Sequence, residues 1–183
     1  YTGKVRLLTG INPSGFGWQL APGDSFQTPE AVLSCSDKGL NGLSQNFHRF
    51  INNCIVRGSW KNRPRPILIN NWEATGFSFT EQSLLKMART AADLGVELFV
   101  LDDGWFGRRN NDHCSLGDWT VNVQKLPSGL AGFAGKLRQL GLDFGLWVEP
   151  EMVSPDSDLY RAHPDWAVAC PGRLPSESRN QYI

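Results

Sequence analysis

Three short runs of unbroken apolar residues alternate with two amphipathic stretches in the second two-thirds of the chain, and each run ends in polar and aromatic side chains. The first is Ile67-Leu68-Ile69, followed by Asn70-Asn71-Trp72. The second is Glu97-Leu98-Phe99-Val100-Leu101, followed by Asp102-Asp103-Gly104-Trp105-Phe106-Gly107. The third is Asp143-Phe144-Gly145-Leu146-Trp147-Val148, followed by Glu149-Pro150-Glu151. Such runs are too short for helices and read as strands buried on both faces, as in a parallel sheet. Between them, Thr80 to Leu94 repeats apolar residues at helical spacing, with Leu84, Ala88 and Ala91 on one stripe and Leu85 and Ala92 beside it. Gly129 to Leu140 does the same with Leu130, Phe133, Leu137 and Leu140. Thr80 suits an N-cap and Glu81 the first turn, while Gly95 and Gly141 suit the left-handed residue that stops a helix.

The first part of the chain has a different grammar. Short apolar pieces (Val5-Arg6-Leu7-Leu8, Gly17-Trp18-Gln19-Leu20, Ala31-Val32-Leu33) sit between turn formers such as Asn12-Pro13 and Pro22-Gly23-Asp24. That pattern fits the end of an antiparallel β domain. Asn41 to Ile55 reads as a helix carrying Leu43, Phe47, Phe50, Ile51 and Cys54 at spacings of three and four. The basic, proline-bearing stretch Arg57 to Pro66 reads as a linker. The expected organisation is therefore residues 1–58 as the end of an N-terminal domain with a connecting helix, and 59–183 as the first part of another.

A β-α-β-α-β order serves both a doubly wound sheet and a (β/α)₈ barrel. No Gly-x-Gly-x-x-Gly follows the first strand and no phosphate loop is present, which disfavours a nucleotide-binding sheet. Polar and aromatic residues gather at the C-terminal end of every strand, where barrels build their active sites. The expectation is an α/β chain holding the N-terminal half of a (β/α)₈ barrel. The stretch after Pro66 is less than half of the ~250 residues a barrel takes. It leaves room for three strands, with Gln181-Tyr182-Ile183 as the start of a fourth. A start at Tyr1 rather than Met and a stop in a strand read as cuts in a longer polypeptide.

Composition adds mainly exclusions. The chain has 183 residues, 40% of them hydrophobic, so a sizeable core is expected; 18 basic and 18 acidic side chains balance. No basic run interleaves with aromatics, which argues against a nucleic-acid partner. No apolar stretch approaches the roughly 20 residues of a membrane span, and no secretory signal is visible. Cys35, Cys54, Cys114 and Cys170 are widely spaced without a CxxC, which reads as free thiols in a reducing compartment. Asp112-His113-Cys114 could hint at metal, but polar loop residues explain it more simply. No metal and no cofactor is expected.

The strand ends carry the candidate chemistry. Trp72, Trp105 and Trp147 read either as core tryptophans or as ligand walls, with the ligand role favoured for Trp72 and Trp147 and Trp105 evenly divided. Asp102 and Asp103 read either as turn formers ahead of Gly104 or as hydrogen-bond acceptors for a polar ligand. Neighbours on a strand point to opposite faces, so both acids reach one ligand only if the strand has already ended. Acids beside indoles suit a sugar, whose apolar face stacks while its hydroxyls need directional partners. Two acceptors on neighbouring hydroxyls would also reject an epimer strongly, because the wrong sugar leaves them unpaired. From the residues alone, Asp103 and Glu149 are candidates for the acid/base pair of a glycosidase.

Taken together, Gly15-Phe16-Gly17-Trp18, Gln45-Asn46-Phe47-His48-Arg49-Phe50, Arg63-Pro64-Arg65-Pro66, Asn70-Asn71-Trp72-Glu73-Ala74-Thr75, Leu101-Asp102-Asp103-Gly104-Trp105-Phe106-Gly107, Leu116-Gly117-Asp118-Trp119 and Gly145-Leu146-Trp147-Val148-Glu149-Pro150-Glu151-Met152 resemble the melibiase-type α-galactosidases of glycoside hydrolase family 36. The match covers essentially the whole chain. The resemblance implies a β-sandwich followed by a (β/α)₈ barrel, and hydrolysis of terminal non-reducing α-galactosides with retention through a covalent galactosyl-enzyme. It implies that Trp72 and Trp147 wall the galactose subsite, that Asp102 and Asp103 grip the 4- and 6-hydroxyls, and that Arg179 is a further substrate contact. Asp103 and Glu149 thereby move from catalytic to binding roles.

The family's nucleophile is an Asp after Lys-Trp on a later strand, and its acid/base an Asp further on. No Lys-Trp-Asp occurs here, and Trp60-Lys61 is reversed, so no catalytic residue is assigned and both are expected beyond Ile183. The chain also departs from the family at Gly76 and Ser78, where Tyr and Asp are expected. The implied partner is an α-galactoside oligosaccharide of the melibiose or raffinose type, the implied assembly a homo-oligomer and the implied location the cytoplasm. An α-N-acetylgalactosaminidase or galactosyl-transferring relative, and a non-catalytic carbohydrate-binding remnant, are the competing readings.

Overall fold

The computed structural model describes residues 3–183; Tyr1 and Thr2, at the head of the first expected domain, lie outside the described residues. The chain divides into two compact units, Tyr1–Pro64 and Arg65–Ile183. The division falls within the basic, proline-bearing stretch.

In the first unit the turns form and the strands do not. Asp24 N–H donates to the Ala21 carbonyl at 3.0 Å across Pro22-Gly23, and Gly23 takes a φ of 91°, as position three of such a turn requires. Ser14 N–H donates to the Asn12 side chain at 3.0 Å. None of the described residues 3–38 lies in a hydrogen-bonded strand, and none of the described residues 3–64 is buried. A strand is stable only when its backbone groups pair and one face is covered, and here Leu33 and Trp18 stay 67% and 62% exposed. Helix α1 (Gly39–Phe50) follows, with Leu43, Phe47 and Phe50 half-buried on one stripe. The expected helix continues through Ile51–Ile55, but as a wider π turn closed by Val56 N–H on the Ile51 carbonyl at 2.9 Å.

In the second unit, β1 (Leu68–Asn70) leads into a single helical turn, α2 (Trp72–Thr75), and then into α3 (Glu81–Asp93). Strand β2 (Leu98–Leu101), helix α4 (Gly129–Gln139) and strand β3 (Asp143–Leu146) complete the repeat. The strands form one parallel sheet in the order β1-β2-β3, with Ile69 opposite Phe99 and Phe99 opposite Phe144. The expected cap is present: Thr80 Oγ1 accepts from Ser83 N–H at 3.2 Å and Ser83 Oγ accepts from Thr80 N–H at 3.0 Å. Phe99 and Leu101 on β2 are buried against Leu84 and Ala88 of α3 and Phe133 and Leu137 of α4. Edge-on contacts run from Phe133 to Phe99 and Phe144, at 6.1 and 5.8 Å.

The chain continues through α5 (Asp158–Ala162) to a hairpin of β4 (Glu177–Ser178) and β5 (Gln181–Tyr182). The pairing is antiparallel, Ser178 opposite Gln181, so Gln181-Tyr182 is not a fourth strand of the parallel sheet. The reason is local. Arg179 and Asn180 both take positive φ, 49° and 62°, which marks the two-residue turn that folds a chain back on itself.

Candidate functional site

Because the strands are parallel, their C-terminal ends open on one side, and there a cleft of about 470 Å³ lies. All five expected binding residues, Trp72, Asp102, Asp103, Trp147 and Arg179, line it. Strand β2 stops at Leu101, so the two acids stand beyond the strand, as the shared-ligand reading required. Buried Asn71 holds the first of them. Its Oδ1 accepts from Asp102 N–H at 2.9 Å, and its amide donates to Thr75 Oγ1 at 2.9 Å.

Asp102 and Asp103 differ in their surroundings. Asp102 is half-buried, and its Oδ1 accepts from Asp103 N–H at 2.7 Å. Asp103 is almost enclosed and is gripped by Arg109. Nε reaches both carboxylate oxygens at 3.0 and 3.2 Å, and Nη2 reaches Oδ2 at 2.8 Å. Arg109 is itself 1% exposed, and its Nη1 donates to the Cys114 carbonyl at 3.0 Å. Its guanidinium also lies 5.5 Å from the centre of the Phe77 ring. A fork of this kind fixes the plane of the carboxylate as well as its charge.

The aromatic walls are fixed by other aromatics. Trp72 meets Phe77 edge-on at 5.0 Å, and Trp147 stacks at 6.5 Å on Phe106 with planes 10° apart. Trp105 proves to be core: it is 3% exposed, and its indole N–H donates to the Trp147 carbonyl at 2.9 Å. Leu116-Gly117-Asp118-Trp119 is likewise structural, since Trp119 packs on Phe106 at 4.6 Å and Asp118 Oδ1 accepts from Leu159 N–H at 3.0 Å. At the rim, Arg179 Nη2 donates to Glu149 Oε1 at 2.8 Å; Glu149 is mostly buried while Arg179 is exposed. The left-handed backbone of Arg179 costs about 1 kcal/mol for a residue with a Cβ.

Among the described residues, no group of three or more His, Cys, Asp or Glu side chains is arranged to hold a metal ion. No helix among them is long and apolar enough to cross a membrane.

A family model described as melibiase matches residues 25–183. The chain belongs to the melibiase family. The alpha-galactosidase AgaA of Geobacillus stearothermophilus is 59% identical over 181 residues, which is 99% of this chain and 25% of that protein. The alpha-galactosidase Mel36A of Lactobacillus acidophilus is 51% identical over 181 residues, again 99% of this chain and 25% of that protein. Among solved structures, a Geobacillus stearothermophilus AgaA variant in complex with raffinose is 60% identical with a TM-score of 0.90; the match covers 95% of this chain and 24% of that one. This melibiase-family chain thus spans about a quarter of the length of the curated relatives it matches.

Sequence reasoning gave no ligand-binding role to Phe77, Arg109, Asp112, Val148 and Gln181, which also line the cleft of this melibiase-family chain. Adjacent arginines show why. Arg108 is solvent-facing and paired with Asp156 at 3.2 Å, whereas Arg109 is buried on Asp103, and nothing in their spacing separates them. Gly76 takes φ 49° and ψ −132°, a region that strongly favours glycine. A tyrosine there would require a different path for the loop after β1.

Proposed function

We propose that this chain is the galactose-recognition part of a retaining glycoside hydrolase that removes terminal non-reducing α-D-galactose from oligosaccharides of the melibiose or raffinose type. The observation that carries the reading is the convergence of Trp72, Asp102, Asp103, Trp147 and Arg179, from separate segments, on one cleft. The indoles of Trp72 and Trp147 offer apolar faces to the C–H side of the sugar. Asp102 accepts ligand hydroxyls with the oxygen not used by Asp103 N–H, and Asp103 accepts with lone pairs left over from Arg109. Arg179 donates from the rim. Fixed acceptors of this kind reward the sugar whose hydroxyls match and penalise its epimers.

In this reading the nucleophile and the acid/base are carried by the longer enzyme beyond Ile183, and no cofactor takes part. The chain comprises the end of a β-sandwich with its connecting helix (1–58) and the first part of a (β/α)₈ barrel (59–183), in an enzyme that is cytoplasmic and a homo-oligomer. The parallel β1-β2-β3 sheet, with polar residues at its C-terminal ends, supports the barrel.

The test is turnover of an aryl α-galactoside. The complete protein is expected to hydrolyse it with retained anomeric configuration, and the 183-residue chain alone to release nothing. Turnover by the chain alone would overturn the placement of catalysis outside it, and inactivity of the complete protein would overturn the substrate.

A further inference from the structure

We infer that Lys125 is a positioning residue of the cleft, acting through the backbone beneath it. Its Nζ donates to three carbonyls from three separate stretches of chain: Phe77 at 2.9 Å, Gly104 at 2.8 Å and Arg109 at 2.9 Å. These are the loop after β1, the turn after β2 and the loop that follows that turn. An ammonium has three N–H donors, and all three are used. The group also sits 4.9 Å from the centre of the Phe79 ring.

Each carbonyl belongs to, or adjoins, a residue that shapes the cleft. Phe77 and Arg109 line it, and Gly104 follows Asp103 directly. The three stretches are also packed tightly. A Cβ built on Gly104 would lie 3.2 Å from Phe77, 3.3 Å from Phe79 and 3.4 Å from the Arg109 carbonyl. Lys125 itself is held from behind: its N–H donates to Asn122 Oδ1 at 3.1 Å, and its carbonyl accepts from Glu81 N–H at 2.8 Å. Asn122 in turn donates to the Gly107 carbonyl at 2.9 Å. A fixed cation thus gathers the carbonyls of three loops at one point, and with them the Phe77 ring, the Asp103 carboxylate and the Arg109 fork. Burial pushes the ammonium below the ordinary lysine range, and the nearby Asp103 carboxylate opposes that shift.

The inference rests on the galactoside reading above, so the experiment keeps the two apart. Lys125→Met and Lys125→Arg are made in the complete protein, with kcat and KM read on an aryl α-galactoside and the midpoint of thermal unfolding read alongside. Methionine keeps the reach and removes every donor; arginine keeps the charge in a planar group that does not fit three converging carbonyls. Because Lys125 governs recognition and not the reacting groups, KM is expected to rise about tenfold or more in both folded variants, with kcat changed by less than about threefold. A wild-type KM in either folded variant overturns the inference, even if its unfolding midpoint falls. Unfolding of both variants also overturns it and leaves Lys125 a brace of the fold. A wild-type protein that does not turn over the galactoside refutes the substrate reading instead.

Discussion

Two arginine–carboxylate pairs face the same cleft and are built in opposite ways. Arg109 and Asp103 are enclosed, with side chains 2% and 9% exposed, and are joined by a fork of short hydrogen bonds. Arg179 and Glu149 meet through one 2.8 Å bond at the tip of a hairpin, with Arg179 69% exposed. A buried pair costs desolvation and yields geometry: it holds a carboxylate in one plane and forbids the alternatives. In the second pair only the arginine faces water, since Glu149 is 13% exposed; a pair with one solvated partner contributes less to stability, and its arginine can exchange the carboxylate for a ligand. The cleft therefore combines a preformed floor with an adjustable rim, which suits a site that fixes one sugar and tolerates what is attached to it.

Removing each arginine in turn sharpens the contrast. Arg109→Met is expected to cost about 3–5 kcal/mol of stability, because Asp103 is left buried without its partner. Thermal denaturation of the complete protein measures this, and a loss below about 1 kcal/mol would show that the floor is not held by the pair. Arg179→Ala is expected to change stability by less than about 0.5 kcal/mol while raising the galactoside KM. Equal stability losses in the two variants would erase the distinction.

A pH-dependent effect on stability, well below that of Arg109→Met, lies away from the cleft, at the joint between α3 and α4. Burial disfavours the charged form of Glu81, but hydrogen bonds from Lys136 and from the Ser128 N–H and hydroxyl outweigh it and hold the carboxyl below its ordinary value of 4.5. A folded-state value below the unfolded one gives stability that is present above pH 4.5 and is lost as pH falls through the folded value. Glu81→Gln is therefore expected to cost about 1 kcal/mol at neutral pH, with the gap from wild type closing in acid. Denaturation series at neutral and acidic pH check this; a gap that widens in acid would reverse the sign.

The sequence was informative wherever one side chain's fate follows from period or position. The stripe of Leu84, Ala88 and Ala91, the Thr80 cap and the stop of β2 before Asp102 are of this kind, since local spacing fixes the face and the boundary. The family resemblance supplied Arg179. What stayed hidden depends on contacts distant in sequence. The burial of Arg109 beside exposed Arg108, the three-carbonyl clasp of Lys125 and the core placement of Trp105 require the loops to be folded first. Gln181-Tyr182 is a strand as expected, but a two-residue turn without glycine at Arg179-Asn180 pairs it antiparallel with Glu177-Ser178. In the first unit the turn residues announced themselves, but apolar pieces without a covering surface gave no strands.

The central claim is that the acids after β2 recognise the sugar. Asp102→Asn tests it most directly, because asparagine retains the oxygen that accepts from Asp103 N–H and leaves the Arg109 fork untouched. The measurement is calorimetric titration of the complete protein, wild type and variant, with galactose and with its 4-epimer glucose. Wild type is expected to prefer galactose by at least about a hundredfold, and the variant to lose most of that preference while remaining folded. An unchanged preference in the folded variant would contradict the account.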